Sequence, residues 1–190
     1  MKIIMISAKS QHGKDTVANI IRELLENRGK KVLTIHFADL VKHYATDYYG
    51  WNGNKDTDGR DLLQTIGTGI LRARWPKYWA EIIGKFLDAI GDLEDTRYGF
   101  NYILIPDWRF TNEFDTISNY ASLFNNIVTT IRVERFNEDG TRYINPNMNE
   151  EQLLHVSECQ LDNFPTDWVI ENRNSIEDLK DSIEIMLEHI

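Results

Sequence analysis

An α/β fold, a parallel sheet enclosed by helices in three layers, is what this sequence predicts, and three observations carry the prediction. Short apolar runs alternate with helical patterns along the chain. The helical stretches are long enough to serve as the crossovers that parallel neighbours require. The chain has 190 residues, 42% of them hydrophobic, enough to bury one substantial core, and no repeat, low-complexity tract or long linker divides it.

Taken in order, residues 2–7 (KIIMIS) are an apolar run that passes into a turn and then a helical pattern at 17–27, closed by Gly29. That is strand, loop, helix. Residues 32–37 read as a second strand and 39–49 as a helix stopped by Gly50. The stretch 50–59 (GWNGNKDTDG) is rich in Gly, Asn and Asp and is expected to be an exposed loop and a hinge. Helical patterns at 60–74 and 77–90 flank the breaker Pro76, and 92–99 is a polar connection. Residues 100–105 are a strong strand ending at Pro106-Asp107, followed by a helix at 111–124 and a strand at 127–134. A polar loop with Gly140 and Pro146 spans 137–149. A short last strand is expected at 167–171 and a helix at 175–190, where Ser175 can cap and Asp178 stands three residues on.

The formal net charge of −9 argues against a nucleic-acid-binding surface, which needs Lys and Arg to neutralise several phosphates. A single nucleotide needs only local amides, one or two cations and a metal, so the expected partner is small. Cys159 is the only cysteine, which rules out an intrachain disulfide and a Cys-based metal site and fits a reducing cytoplasm. The N-terminal apolar run turns polar at Lys9, too short for a membrane span and without the features of a cleaved leader. No membrane partner is expected, and homodimer formation is left open.

Residues 7–16 (SAKSQHGKDT) stand where a strand becomes a helix, the context that makes a phosphate loop credible. Backbone amides of Lys9, Ser10, Gln11, His12 and Gly13 can encircle phosphate oxygens, aided by the helix N-terminus, and Lys14 would reach the transferable phosphate. Two positions depart from the usual pattern. Ala8 replaces its first glycine, which negative φ would permit, and Asp15 replaces the Ser or Thr that binds magnesium, so Asp15 and Thr16 become the metal candidates. The His12 side chain is expected to point outward while its amide serves the loop. The alternative is a plain strand–turn–helix junction with an exposed lysine.

Asp107 closes a buried strand, where open α/β sheets put ligand groups, and resembles a Walker-B acid. Arg109 follows two residues later and is a candidate for acceptor phosphate or transition-state charge. The alternative has Asp107 capping the next helix and Arg109 pairing with Glu113.

With these blocks assembled, the chain resembles the phage-type deoxynucleoside monophosphate kinases. The resemblance rests on Gly13-Lys14-Asp15-Thr16, Phe37-Ala38 with Lys42, and residues 63–68 (LQTIGT) with Arg72 and Trp79. It extends to residues 105–109 (IPDWR) with Asn112-Glu113 and to His155-Val156-Ser157-Glu158, all in the family's order. It implies one P-loop kinase domain over 1–190, with a helical acceptor-binding region at roughly 40–90 that closes over the phosphates. It implies ATP and magnesium as cofactors, a deoxynucleoside monophosphate as acceptor, and a cytoplasmic setting, the host's if the chain is of phage origin. Lys14, Asp107, Arg109 and Arg72 then become the catalytic candidates, with magnesium near Asp15, Thr16 and Asp107.

Under this resemblance Lys42, Gln64, Arg72, Trp79, Arg109, His155 and Glu158 are the acceptor-site candidates. Gln64 could read a base edge and Trp79 could stack on the base; Trp79 as core, Lys42 as surface and His155 as structural are the competing readings. Arg135 and Arg142 are candidates for a lid arginine. The rival functions are a P-loop kinase for another small acceptor, a nucleotide-dependent ATPase switch, and a degenerate phosphate loop retained as a binding protein, which Ala8 leaves open; against the switch, Trp108 rather than a water-activating glutamate follows Asp107.

Overall fold

The computed structural model of the chain describes residues 1–54, 56–91, 93, 97, 99–173 and 175–190; the polar connection expected at 92–99 falls mostly outside them. Five strands, β1 (Lys2–Ala8), β2 (Val32–Thr34), β3 (Tyr102–Ile105), β4 (Ile127–Arg135) and β5 (Trp168–Asn172), form one sheet in the order β2-β3-β1-β4-β5. Every pairing is parallel. The helices are α1 (Lys14–Asn27), α2 (Ala38–Tyr49), α3 (Thr57–Gln64), α4 (Leu71–Arg74), α5 (Tyr78–Gly91), α6 (Thr111–Ser122), α7 (Glu150–Leu153), α8 (Val156–Cys159) and α9 (Ile176–Leu187).

The central strand shows why the sheet needs cover on both faces. Ile4 and Ile6 join one cluster with residues of α1 and α9, while Ile3 and Met5 join another with residues of α5 and α6. All four are fully buried, and burying a side chain of this size contributes roughly 1.5–3 kcal/mol. A third cluster, Val41, Ala45, Ile66 and Trp79, holds α2 and α5 to the segment between them. Helix α5 serves two clusters, giving Trp79 to the third and Ala80, Ile83 and Leu87 to the second. It packs closely on α6, where a β-carbon on Gly84 would collide with the Tyr120 ring.

The observed elements depart from expectation in four places. β2 stops at Thr34, because Asp107 captures the Phe37 and Ala38 amides and turns the chain into α2. The loop expected to end at Gly59 gives way at Thr57 to α3, capped by Asp56, which accepts the Gly59 N–H at 2.9 Å. The helix expected at 60–74 is interrupted by a π-helical turn, Thr65–Ile70. Gly67 and Gly69 weaken the α-helix there, and the Gly67 carbonyl takes its hydrogen bond from Trp79 Nε1–H at 2.9 Å. Helices α7 and α8 were not anticipated, although the Asn149/Gln152 capping box of α7 is written in the sequence. The Ser175/Asp178 box of α9 forms as expected. Among the described residues no helix is long and apolar enough to cross a membrane.

Candidate functional site

At the C-terminal end of β1 the chain turns through residues 9–13 into α1. Among described non-glycine residues only Gln11 and Asn125 have positive φ, so Ala8 stands where no glycine is required. Gly13 does require one: its φ is 98° and a β-carbon would lie 2.7 Å from Asn172 Nδ2. That same amide donates to the His12 carbonyl at 3.1 Å, pinning the loop to β5.

The His12 side chain corrects expectation, since it is 3% exposed rather than pointing out. Its Nδ1 accepts the Arg135 N–H at 3.1 Å, which leaves Nε2–H to donate to the Tyr143 carbonyl at 3.0 Å. With both ring nitrogens satisfied, the neutral ring is buried without an orphaned polar atom. Burial holds its pKa below the ordinary value. His12 ties the phosphate loop to the segment after β4.

Lys14 Nζ bonds Asp15 Oδ1 at 2.6 Å, an anion standing where phosphate oxygens would compete. Lys9 is held instead by Asp162 at 2.5 Å and by the Glu158 carbonyl at 2.6 Å. The Ser10 amide donates to Glu158 Oε2 at 2.9 Å, while the other carboxylate oxygen pairs with Arg109 Nη1. Glu158 thus joins the phosphate loop to Arg109, whose Nη1 also donates to the Ser157 carbonyl at 3.0 Å.

Asp107 lies two residues beyond β3, at the same end of the sheet as the phosphate loop, because β3 pairs with β1 in register Met5 to Ile105. Its oxygens accept the Phe37 and Ala38 amides at 3.0 and 2.9 Å, so it caps α2 and not the next helix. Arg109 and Glu113 meet only through the Arg109 backbone N–H, at 2.9 Å. Glu113 also accepts the Phe110 N–H at 3.0 Å and pairs with Arg72 Nη2 at 2.8 Å. Burial pushes its carboxyl up to about 7 against the opposing pull of Arg72. The Arg72 guanidinium lies 3.9 Å over the Phe110 ring.

Two clefts converge on these groups. One, of about 1010 Å³, runs over the phosphate loop and is lined by Lys9, Ser10, Gln11, Gly13 and Thr16, with Arg135, Phe136, Asn172 and Arg173 opposite. The other, of about 460 Å³, lies under α2 and α3 and is lined by Lys42, Gln64, Arg72, Trp79, Asp107 and Phe110, a size suited to a small ligand. Lys14, Asp15, Arg60, Arg109, Met148 and Glu158 line both.

His12 and His155 line neither cleft. His155 caps α8, its Nδ1 accepting the Ser157 N–H at 3.2 Å. Trp79 is both core and cleft wall, 1% exposed. Lys42 pairs with Asp39 at 3.3 Å. Arg135 reaches the Gln11 carbonyl at 3.2 Å and stacks 4.3 Å over Tyr143, whereas Arg142 is taken by Glu134 at 2.7 Å and lines neither cleft. Sequence reasoning missed Arg173, Asn172 and Asn145 as loop or cleft partners, and it saw Glu113 as a partner for Arg109 and as part of the Asn112-Glu113 block, not as the partner of Arg72. Asn145 donates to Ser10 Oγ at 2.9 Å from 135 positions away, a contact no local pattern announces.

No protein-family model matches the chain, and no curated protein matches it significantly. Among solved structures it is similar to a gluconokinase from Sinorhizobium meliloti 1021, with TM-score 0.50, 12% identity, and 99% of this chain and 92% of that one covered. It is similar to APE1195 at TM-score 0.52 and 12% identity, covering 100% and 96%, and to the APS kinase CysC of Mycobacterium tuberculosis at 0.48 and 11%, covering 98% and 96%. The chain has a P-loop NTPase fold. At such identities the likeness reaches the fold alone.

Proposed function

We propose that the chain is a kinase that transfers the γ-phosphoryl group of ATP to a deoxynucleoside monophosphate. The observation that carries this reading is the meeting of two clefts at Lys14 and Arg109, one over a phosphate loop and the other lined by Arg72, Lys42 and Gln64. A hydrolase needs only the first. A second cleft with arginine in its wall suits an acceptor that is itself an anion, since a guanidinium can grip phosphate bidentately. The residue blocks shared with the phage-type kinases supply the choice of a deoxynucleoside monophosphate, and the helical region at roughly 40–90 would be its binding flap.

In this mechanism an acceptor phosphate oxygen attacks the γ-phosphorus as the bond to the ADP oxygen breaks, and the bonding electrons leave with ADP. The protein supplies position and positive charge. Lys14 gives up Asp15 for the donor phosphates, and the amides around Gly13 hold them. Arg72 holds the acceptor phosphate, and Arg109 sits where the phosphates meet. The acceptor is already anionic at neutral pH, so no general base is needed.

Among the described residues no trio of His, Cys, Asp or Glu is placed to hold a metal by itself, but Asp15 lines both clefts, Thr16 the one over the phosphate loop and Asp107 the other. That donor set fits a magnesium ion that brings phosphate and water ligands with it. Bound there, magnesium would neutralise charge on the donor phosphates.

The test is ADP formation from ATP, measured with deoxynucleoside monophosphates, ribonucleoside monophosphates, nucleosides, gluconate and no acceptor. ADP production that depends on a deoxynucleoside monophosphate is expected. ADP release indifferent to acceptor, or driven only by an uncharged one, would overturn the reading.

A further inference from the structure

We propose that Glu113 is a positioning residue for the acceptor, its buried carboxylate fixing Arg72 on the Phe110 ring so that the guanidinium's unpartnered Nε–H is presented to the acceptor phosphate. This rests on the reading of the second cleft as an acceptor site. Glu113 belongs to α6 in the core, while Arg72 belongs to α4 in the helical region, 41 positions earlier. Their ion pair therefore links the region that would carry the acceptor to the sheet's helical layer. Both ends are withdrawn from water, the side chains being 12% and 2% exposed.

Capping alone does not account for this carboxylate. The Arg109 and Phe110 amides both go to Oε2, at 2.9 and 3.0 Å, and a neutral side-chain oxygen could receive them. A charge buried this deeply is costly unless paired, and what pairs it is Oε1 on Arg72 Nη2 at 2.8 Å. The guanidinium is fixed a second time by lying 3.9 Å over Phe110. Two restraints of different kind on a flat group leave it little rotational freedom.

The Arg72 Nε–H is buried and has no partner. Buried donors are almost always satisfied, and a charged one left alone is among the most expensive kinds. Arg72 lines the 460 Å³ cleft, so a small opening of that wall would let an entering phosphate oxygen complete the hydrogen bonding of its Nε–H. The same anion would balance the guanidinium's remaining field. Without Glu113 the arginine would keep its charge and lose its orientation.

The experiment, run at about pH 8 so that the Glu113 carboxyl is ionised, compares wild type, Glu113→Gln and Arg72→Lys. Three quantities are read: ATP affinity without acceptor, acceptor KM and kcat at saturating ATP, and the ¹H–¹⁵N signal of Arg72 Nε as inorganic phosphate or each deoxynucleoside monophosphate is added. Glu113→Gln keeps an oxygen for the two amides and removes the charge. It should raise acceptor KM about tenfold or more, with kcat and ATP affinity nearly unchanged. Arg72→Lys keeps a cation for Glu113 but lacks the fork, and should raise KM similarly. In wild type the Arg72 Nε signal should shift on adding phosphate, and in Glu113→Gln that shift should vanish.

An unchanged KM in a less stable Glu113→Gln protein would reduce Glu113 to a helix cap and overturn the proposal. Should that variant not fold, Arg72→Lys and the wild-type titration decide: an unmoved KM or an Nε signal indifferent to phosphate overturns it. Should no monophosphate support turnover, the functional reading fails by itself. The phosphate-induced shift, present in wild type and absent in Glu113→Gln, then still decides whether Glu113 orients an anion grip.

Discussion

Among the described residues Lys14 is hydrogen-bonded to Asp15, whose side chain is 72% exposed against 20% for Lys14. A pair with one partner this open to water contributes about 0–1 kcal/mol. Replacing Lys14 by Ala should therefore leave the melting temperature nearly unchanged while lowering kcat by at least about a hundredfold, the scale of losing one preorganised charge at a transferring group. Thermal melting beside turnover checks this, and a folded variant with wild-type turnover would remove the phosphate-loop assignment. Glu113 makes the opposite kind of prediction. Burial lifts its carboxyl from the ordinary 4.5 to about 7, so the folded chain holds that proton more tightly than the unfolded one. The stability this contributes is full below about pH 4.5 and is lost as pH rises through about 7. From about pH 5 to about pH 8, urea unfolding should show wild type losing on the order of 1–3 kcal/mol relative to Glu113→Gln. A constant difference would mean Glu113 is ionised throughout. At this scale the phosphate loop was legible because its letters and its strand-to-helix setting are local. The inward turn of His12 was not, since its partners, Tyr143 and Arg135, lie 131 and 123 positions away.

Elements were legible where one physical cause acts alone. β1 reads as a buried parallel strand from its own apolar run, and α9 from its cap and periodicity. The interrupted helix at 60–74 and the shortened β2 were missed because tertiary partners decide them: Trp79 takes the Gly67 carbonyl, and Asp107 takes the amides that would have prolonged the strand's path. Two helical glycines separate packing from propensity. Replacing glycine by alanine inside a helix normally gains up to about 1 kcal/mol. Gly69 faces open space, so Gly69→Ala should gain on that scale, whereas at Gly84 the new methyl meets the Tyr120 ring between α5 and α6. Gly84→Ala should instead lose about 1–3 kcal/mol, the usual cost of overpacking. Chemical denaturation of both variants checks the signs, and a gain at Gly84 would mean that α5 and α6 can separate without cost.

For the whole molecule, parallel pairing places the ends of β1 and β3 side by side, and that adjacency delivers the phosphate loop and Asp107 to the C-terminal ends of the sheet's inner strands. The alternation of strands and helices foretold such a meeting of strand ends. It did not foretell that donor and acceptor candidates would divide between two clefts sharing Lys14, Asp15, Arg109 and Glu158, because cleft walls are assembled from segments as distant as Lys14 and Gln152. The central claim is that these clefts hold two nucleotides whose phosphates meet at Lys14. Its most direct test is calorimetric titration with adenosine and a deoxynucleoside joined through a polyphosphate chain, alone and in competition. The account predicts one molecule bound per chain, displaced by ATP and also by the deoxynucleoside monophosphate, with affinity lowered in both Lys14→Ala and Arg72→Lys. Displacement by ATP alone, with Arg72→Lys binding as wild type, would contradict it.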